Sequence, residues 1–126
     1  MGRATEPGLV RVGDPPDASA EHYYVDAAKL LDGNLGQTVW LEYQDASGQL
    51  CTGVWASEVG AWSVHYTEEE YCRMLEGVSV ITDAAGHAVT LRAGDEFVIP
   101  AGFVGTWRVL ETTRKRFVIY ERAVTA

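Results

Sequence analysis

The feature that most constrains the fold is a hydrophobic pattern of period two, which begins at Gln37 and continues almost to the end of the chain. Turn-forming segments such as residues 83–86 interrupt the pattern every few residues, and no long helical pattern separates the strand-like runs. Parallel sheets need long crossover connections, so the pattern excludes a parallel α/β sheet and predicts an antiparallel sandwich or barrel. The predicted strands are residues 38–43, 50–56, 61–67, 71–76, 78–82, 88–92, 96–99, 104–110 and 114–121.

The first 36 residues have a different pattern and are expected to form an arm in front of a barrel that spans residues 37–126. The beginning of this arm is rich in proline and glycine, which favours a loop. Further along, Asp26 is a suitable N-cap and Gly33 a suitable terminator, so one short helix is predicted over residues 26–31. A chain of 126 residues fits one such domain.

Charge and cysteine content restrict the partners and the compartment. The chain has 10 Lys and Arg against 18 Asp and Glu, for a formal charge of −8. Nucleic acids and anionic membranes repel such a surface, so neither is expected as a partner. There is no apolar run of the roughly 20 residues that cross a bilayer and no secretory-type leader. Cys51 and Cys72 are therefore expected to be reduced thiols in a cytoplasmic protein.

Two glycine-anchored segments carry a resemblance to a known family. Glu70 and Gly77 are separated by six residues, and Gly94, Pro100 and Gly102 follow the spacing G-x5-P-x-G. These segments resemble the two motifs of the cupins, G-x5-H-x-H-x3–4-E-x6-G and G-x5-P-x-G-x2-H-x3-N. The chain is similar to small single-domain cupins, in particular the cupin halves of (S)-ureidoglycine aminohydrolase and the ethanolamine-utilisation cupin. The resemblance implies an all-β, antiparallel double-stranded β-helix, with sharp chain reversals expected at Gly77 and Gly102.

The resemblance also implies where a metal would be held. Metal-binding cupins use the two histidines and the glutamate of the first motif and the histidine of the second. Here the glutamate position is Glu70, but the histidine positions are Val64, Tyr66 and Gly105. An alternative register, with one more spacer residue, places His65 in the second histidine position. Only Glu70 and His65 are then candidate ligands, so no cofactor is expected, with a divalent transition metal as the alternative.

Strand alternation predicts what faces the inside of the barrel. Residues two apart share one face of a strand, so the positions in register with Glu70 are expected to point inward and His65 outward. At Gly105, the lack of a side chain is expected to leave space. An apolar pocket with few polar groups is typical of small-molecule sites, although the same side chains could merely fill the core. The expected pocket residues are Trp62, Tyr66, Cys72, Met74 and Trp107.

Glu70 needs a partner if it lies inside an apolar barrel, because a buried carboxylate must be paired, protonated or hydrated. Lys115 is the main candidate, since the residues at period two from it look buried; Arg114, Arg116 and the Tyr66 hydroxyl are alternatives. A Glu70–Lys115 pair would suit acid–base catalysis or carboxylate binding. The alternatives are a purely structural ion pair or a solvated Lys115.

These observations predict a cupin-fold protein that binds a small polar or carboxylate-containing metabolite, and leave open whether it is an enzyme. One alternative is a metal-dependent cupin enzyme of nitrogen or small-acid metabolism, and another is a non-catalytic structural dimer. A homodimer is expected, either through an exposed Trp40 or Trp55 or by exchange of the arm.

Overall fold

The computed structural model describes residues 6–13, 16 and 18–123, and all regular secondary structure in this part of the chain is β-strand. Every strand pair is antiparallel. The predicted all-β, antiparallel class is therefore confirmed. The strands are β1 (Ala20–Tyr24), β2 (Leu30–Gly33), β3 (Gly36–Gln44), β4 (Leu50–Ser57), β5 (Gly60–His65), β6 (Glu69–Asp83), β7 (Ala88–Arg92), β8 (Glu96–Ile99) and β9 (Val104–Tyr120).

The sheet curls around the long strand β9. One path of hydrogen-bonded neighbours runs β1-β3-β4-β9-β5-β2, and β6 pairs with β7, β8 and β9. The C-terminal half of β9 pairs with β4, its N-terminal half pairs with β5, and β6 follows nearly its whole length. Since one strand contacts three others in this way, the inner faces of β4, β5, β6 and β9 enclose a single core.

Two strands are longer than the period-two pattern predicts. Residues 71–76 and 78–82 form the single strand β6, and residues 104–110 and 114–121 lie almost wholly in the single strand β9. The pairing of β6 with β9 shifts register around Gly77. The pattern breaks at this irregularity because a bulge changes which side chains face inward, although the strand continues.

The two glycines expected at chain reversals have different roles. Gly102, with φ of +92°, lies in a turn in which Phe103 N–H donates to the Pro100 carbonyl oxygen over 3.1 Å. Gly77, with φ of +87°, lies inside β6, where a Cβ atom would sit 2.1 Å from the Thr112 carbonyl oxygen. The expected reversal at Gly77 is therefore wrong: this glycine permits a bend and a close approach of β6 to β9.

The predicted short helix over residues 26–31 is also wrong. Asp26 does accept a hydrogen bond from Ala28 N–H over 3.0 Å, and Lys29 N–H donates to the Asp26 carbonyl oxygen over 2.9 Å. The chain makes only this one turn, because Leu30 then enters β2 and pairs with Trp62 of β5. Pairing with an available sheet edge overrides the weak local preference for helix.

Three tryptophan rings occupy the middle of the core. The ring centroids of Trp55, Trp62 and Trp107 lie 5.3–5.8 Å apart, the range in which aromatic pairs attract each other. Trp55 is only 8% exposed, so its expected place on an exposed association surface is wrong. Trp40 is half-buried on β3. The site described next lies against this aromatic cluster.

Candidate ligand-binding site

The first strand to contribute is β6, whose alternation places three predicted site residues inside. Glu70, Cys72 and Met74 are buried, whereas the intervening Tyr71 and Arg73 are exposed. Glu70 lies near the start of β6 and is only 5% exposed. A carboxylate this deep in an apolar interior requires compensation by neighbouring groups.

Lys115 of β9 supplies that compensation. Its Nζ atom donates to Glu70 Oε2 over 2.5 Å, and the Cys72 thiol donates to the same oxygen over 3.1 Å. The alternative partners Arg114 and Arg116 contact other carboxylates instead. The structure thus brings together the glutamate and the lysine that the sequence suggested as a pair.

The Lys115 ammonium is also held by aromatic faces. Its Nζ atom lies 4.7 Å from the ring centroid of Trp55 and 4.4 Å from that of Trp107. Burial has the largest single effect and lowers the pKa of Lys115, but the charges of Glu70, Cys72 and Tyr66 and the hydrogen bond to Glu70 together outweigh burial and hold that pKa above its usual range. The lysine is therefore a cation at neutral pH, and it contacts one carboxylate and two indole faces.

A cavity of about 280 Å³ opens beside this pair. Of the predicted pocket residues, Trp62, Tyr66 and Trp107 line the cavity, together with Glu70 and Lys115. The predicted residues Cys72 and Met74 are buried in the core and do not line it. Six further lining residues are not among the predicted ones: Tyr23, Gln37, Val39, Trp55, Phe117 and Ile119.

Trp107, one of the residues that line this cavity, carries a polar group without a partner. The residue is fully buried, and its Nε1–H has no hydrogen-bond partner among the described residues. The neighbouring Trp55 is satisfied, since its Nε1–H donates to the Tyr23 hydroxyl over 3.1 Å. A buried donor without an acceptor costs about 1–3 kcal/mol, so this N–H is a net cost to stability.

The positions that hold metal in metal-binding cupins do not fit a metal here. Val64 and Tyr66 offer no strong ligand, and His65 is exposed and lines a different surface depression from Glu70. No group of three or more His, Cys, Asp or Glu side chains comes together within residues 6–13, 16 and 18–123. The Glu70 carboxylate is engaged instead by the Lys115 cation.

Gly105 does not leave the space that the sequence suggested. A Cβ atom at this position would lie 2.0 Å from the backbone oxygen of Thr82 on β6, so the two strands approach each other where a histidine side chain would start. The expectation of an open position at Gly105 is wrong. The cavity is lined by residues of β5, β6 and β9, and also by residues of β1, β3 and β4.

The curled antiparallel sheet, the inward Glu70 and the G-x5-P-x-G turn together define a small cupin. Residues 44–117 match the EutQ-like cupin domain, and the chain belongs to that family. A search of the curated proteins finds no significant match. Within the described residues, no helix is long and apolar enough to cross a membrane.

Solved structures support the same fold. A protein of unknown function from Pseudomonas syringae, of the DUF861 family, superposes with a TM-score of 0.74 at 20% identity, over 82% of this chain and 45% of that one. This chain thus spans less than half of that protein. A DUF861 protein from Thermotoga maritima is 33% identical over 51% of this chain and 73% of its own, with a TM-score of 0.50. The EutQ protein of Clostridium difficile is 18% identical over 89% of this chain and 81% of its own, with a TM-score of 0.65.

Proposed function

We propose that this cupin binds a small metabolite with a carboxylate or comparable polar group in the cavity beside Glu70 and Lys115. The observation that carries the proposal is the unpartnered Trp107 Nε1–H, a buried donor in a residue that lines the same cavity as a buried ammonium. Both groups offer hydrogen bonds to a ligand oxygen, and neither is explained by packing alone.

The remaining walls suit a ligand with a flat or apolar body. Three indoles and the Tyr66 ring line the cavity beside the charged pair, and apolar walls with a few convergent polar groups are typical of metabolite sites. A dry cavity of about 150 Å³ can hold benzene, so about 280 Å³ can hold a small aromatic or branched acid.

Lys115 is better suited to electrostatic binding than to proton transfer. Because its pKa is held above the usual range, it stays protonated near neutral pH and is a poor general base. Of the two candidate catalytic residues, only Glu70 could then act as a base, and its Oε2 atom already accepts two hydrogen bonds. We therefore propose that the pair orients the ligand, whether or not a reaction follows.

Tryptophan fluorescence tests this proposal directly, because three of the four tryptophans line the cavity. Small carboxylates and their amides, such as benzoate and benzamide, would be titrated against the Trp40→Phe variant, whose emission comes from the cavity alone. We expect a saturable change for at least one carboxylate. Adding Trp107→Phe should weaken binding about tenfold, since one hydrogen bond to a charged group is lost. No saturable change in the panel, or unaltered affinity in Trp107→Phe, would contradict the proposal.

We further propose a homodimer in the cytoplasm. β1 lies at one end of the hydrogen-bonded path, and all five of its residues are exposed, so it offers an edge to a second copy. Cys51 and Cys72 are free thiols, which suits a reducing compartment. Sedimentation over a dilution series should give about twice the chain mass of 13.8 kDa, and the monomer mass at all concentrations would refute the dimer.

A further inference from the structure

We infer that the Lys115 ammonium is a built-in cation that takes the place of a metal ion in this barrel: it neutralises Glu70 and anchors a ligand oxygen. The inference rests on the proposed function for the ligand, but the exchange of a metal for a lysine stands on the geometry of the site alone.

The donor set around Glu70 does not suit a metal ion. Of the four positions that hold metal in metal-binding cupins, only Glu70 retains a ligand, and the approach of Gly105 to the backbone of Thr82 leaves no room for a side chain there. A metal at Glu70 would have too few protein ligands, since even open catalytic sites usually have three. It would also have to displace Lys115 Nζ from Oε2, where it sits at 2.5 Å.

The surroundings of the Lys115 ammonium suit an organic cation. Lys115 Nζ contacts a carboxylate and lies 4.4 and 4.7 Å from the ring centroids of Trp107 and Trp55. A carboxylate combined with aromatic faces is a favourable receptor for an organic cation, whereas a transition metal prefers imidazole, thiolate or several oxygens. The surroundings of Nζ therefore select an ammonium and disfavour a metal.

A chemical-rescue experiment tests this receptor. Lys115→Ala removes four atoms, Cγ, Cδ, Cε and Nζ, which together make a propylammonium ion. Added propylammonium should refill the space between Glu70, Trp55 and Trp107. At ten times its Kd, it should raise the Tm of Lys115→Ala by about 5 °C. Sodium chloride and 1-propanol at the same concentration should give smaller shifts, and the wild-type protein should not respond.

The control for charge is the double variant Glu70→Gln with Lys115→Ala, which keeps the space but loses the carboxylate. Rescue that disappears in this variant supports the inference. Equal rescue by 1-propanol, or undiminished rescue without Glu70, would overturn it.

If Lys115→Ala does not fold, wild-type protein and Lys115→Met are incubated with Mn, Fe, Ni and Zn, and bound metal is measured after gel filtration. Stoichiometric metal in the wild-type protein would equally overturn the inference, and its absence would support it.

The carboxylate titration tests whether Lys115 anchors a ligand oxygen, separately from whether it replaces a metal ion. Benzoate, if it is bound by the wild-type protein, should lose at least tenfold in affinity in Lys115→Met, whereas benzamide should lose less. Full benzoate affinity in Lys115→Met would refute the anchoring role and leave the proposed ligand site intact. Successful propylammonium rescue without any carboxylate binding would refute the proposed function and support the cation's structural role.

Discussion

Replacing Lys115 by Met should be strongly destabilising, because it leaves the buried Glu70 carboxylate without its cationic partner. The two side chains are 5% and 6% exposed and meet at 2.5 Å. Removing one partner of a buried ion pair typically costs about 3–5 kcal/mol. With an unfolding entropy of about 2.1 cal/mol/K per residue, 126 residues give about 4 °C per kcal/mol, so the Tm should fall by about 11–19 °C.

The double variant Glu70→Gln with Lys115→Met separates loss of pairing from loss of packing. It replaces both charges with neutral groups of similar shape, and such replacements are often neutral or stabilising. We therefore expect the double variant to be more stable than Lys115→Met alone. The coupling energy should be about 2 kcal/mol or more. Urea denaturation at pH 7, followed by far-UV circular dichroism, measures all four proteins of the cycle.

An exposed ion pair provides the matched control. Arg108 and Asp32 form a salt bridge at 3.1 Å, but their side chains are 49% and 63% exposed. The same cycle with Arg108→Met and Asp32→Asn should give a coupling energy below about 1 kcal/mol. If the Glu70–Lys115 cycle is additive, or its coupling is no larger than that of the exposed pair, then the view of a tightly coupled buried pair is refuted.

Two further predictions concern the same core. Gly105→Ala should lower the free energy of unfolding, measured in urea, by about 1–3 kcal/mol, because its Cβ would lie 2.0 Å from a backbone oxygen. Gly8→Ala is the control and should be neutral, since there is open space around it. Equal effects of the two substitutions would contradict the close approach of β6 and β9 at Gly105. Burial raises the pKa of Cys72 to about 12, from about 9 when unfolded. The folded state therefore holds this proton more tightly, and its contribution to stability is complete below pH 9 and lost as the pH rises toward 12. Thiol reagents at pH 8 should accordingly modify the half-buried Cys51 before Cys72, and equal rates would argue against this burial.

Period-two alternation was sufficient to predict the inward side of the central strands. On β6 it placed Glu70, Cys72 and Met74 inside, and on β5 it placed His65 outside. These assignments succeed because a strand has only two faces and only one of them is buried here. Lys115 could be inferred by the same rule, since a charged residue in register with buried apolar neighbours is rare unless it is paired.

Alternation does not predict which residues the N-terminal strands supply to the cavity. Tyr23 and Gln37 reach the cavity because β1 pairs with β3, a contact between segments that carry no motif. Alternation does not assign Trp55 to the core, because β4 has buried residues on both faces and the adjacent Val54 is also buried. The closed space at Gly105 depends on the approach of β6, which is a property of tertiary packing and leaves no local trace in the sequence.

Stability alone does not account for the buried ion pair and the unpaired indole N–H in this core. A buried ion pair is seldom more stable than apolar side chains of the same volume, and a buried indole N–H without an acceptor is a net cost. Both occur in this barrel on residues that line one cavity, Glu70 and Lys115 for the ion pair and Trp107 for the donor. Phenylalanine at position 107 would preserve much of the packing without the unsatisfied donor. The occurrence of two separate costs at one cavity supports the proposed ligand, which would satisfy the indole donor and contact the lysine.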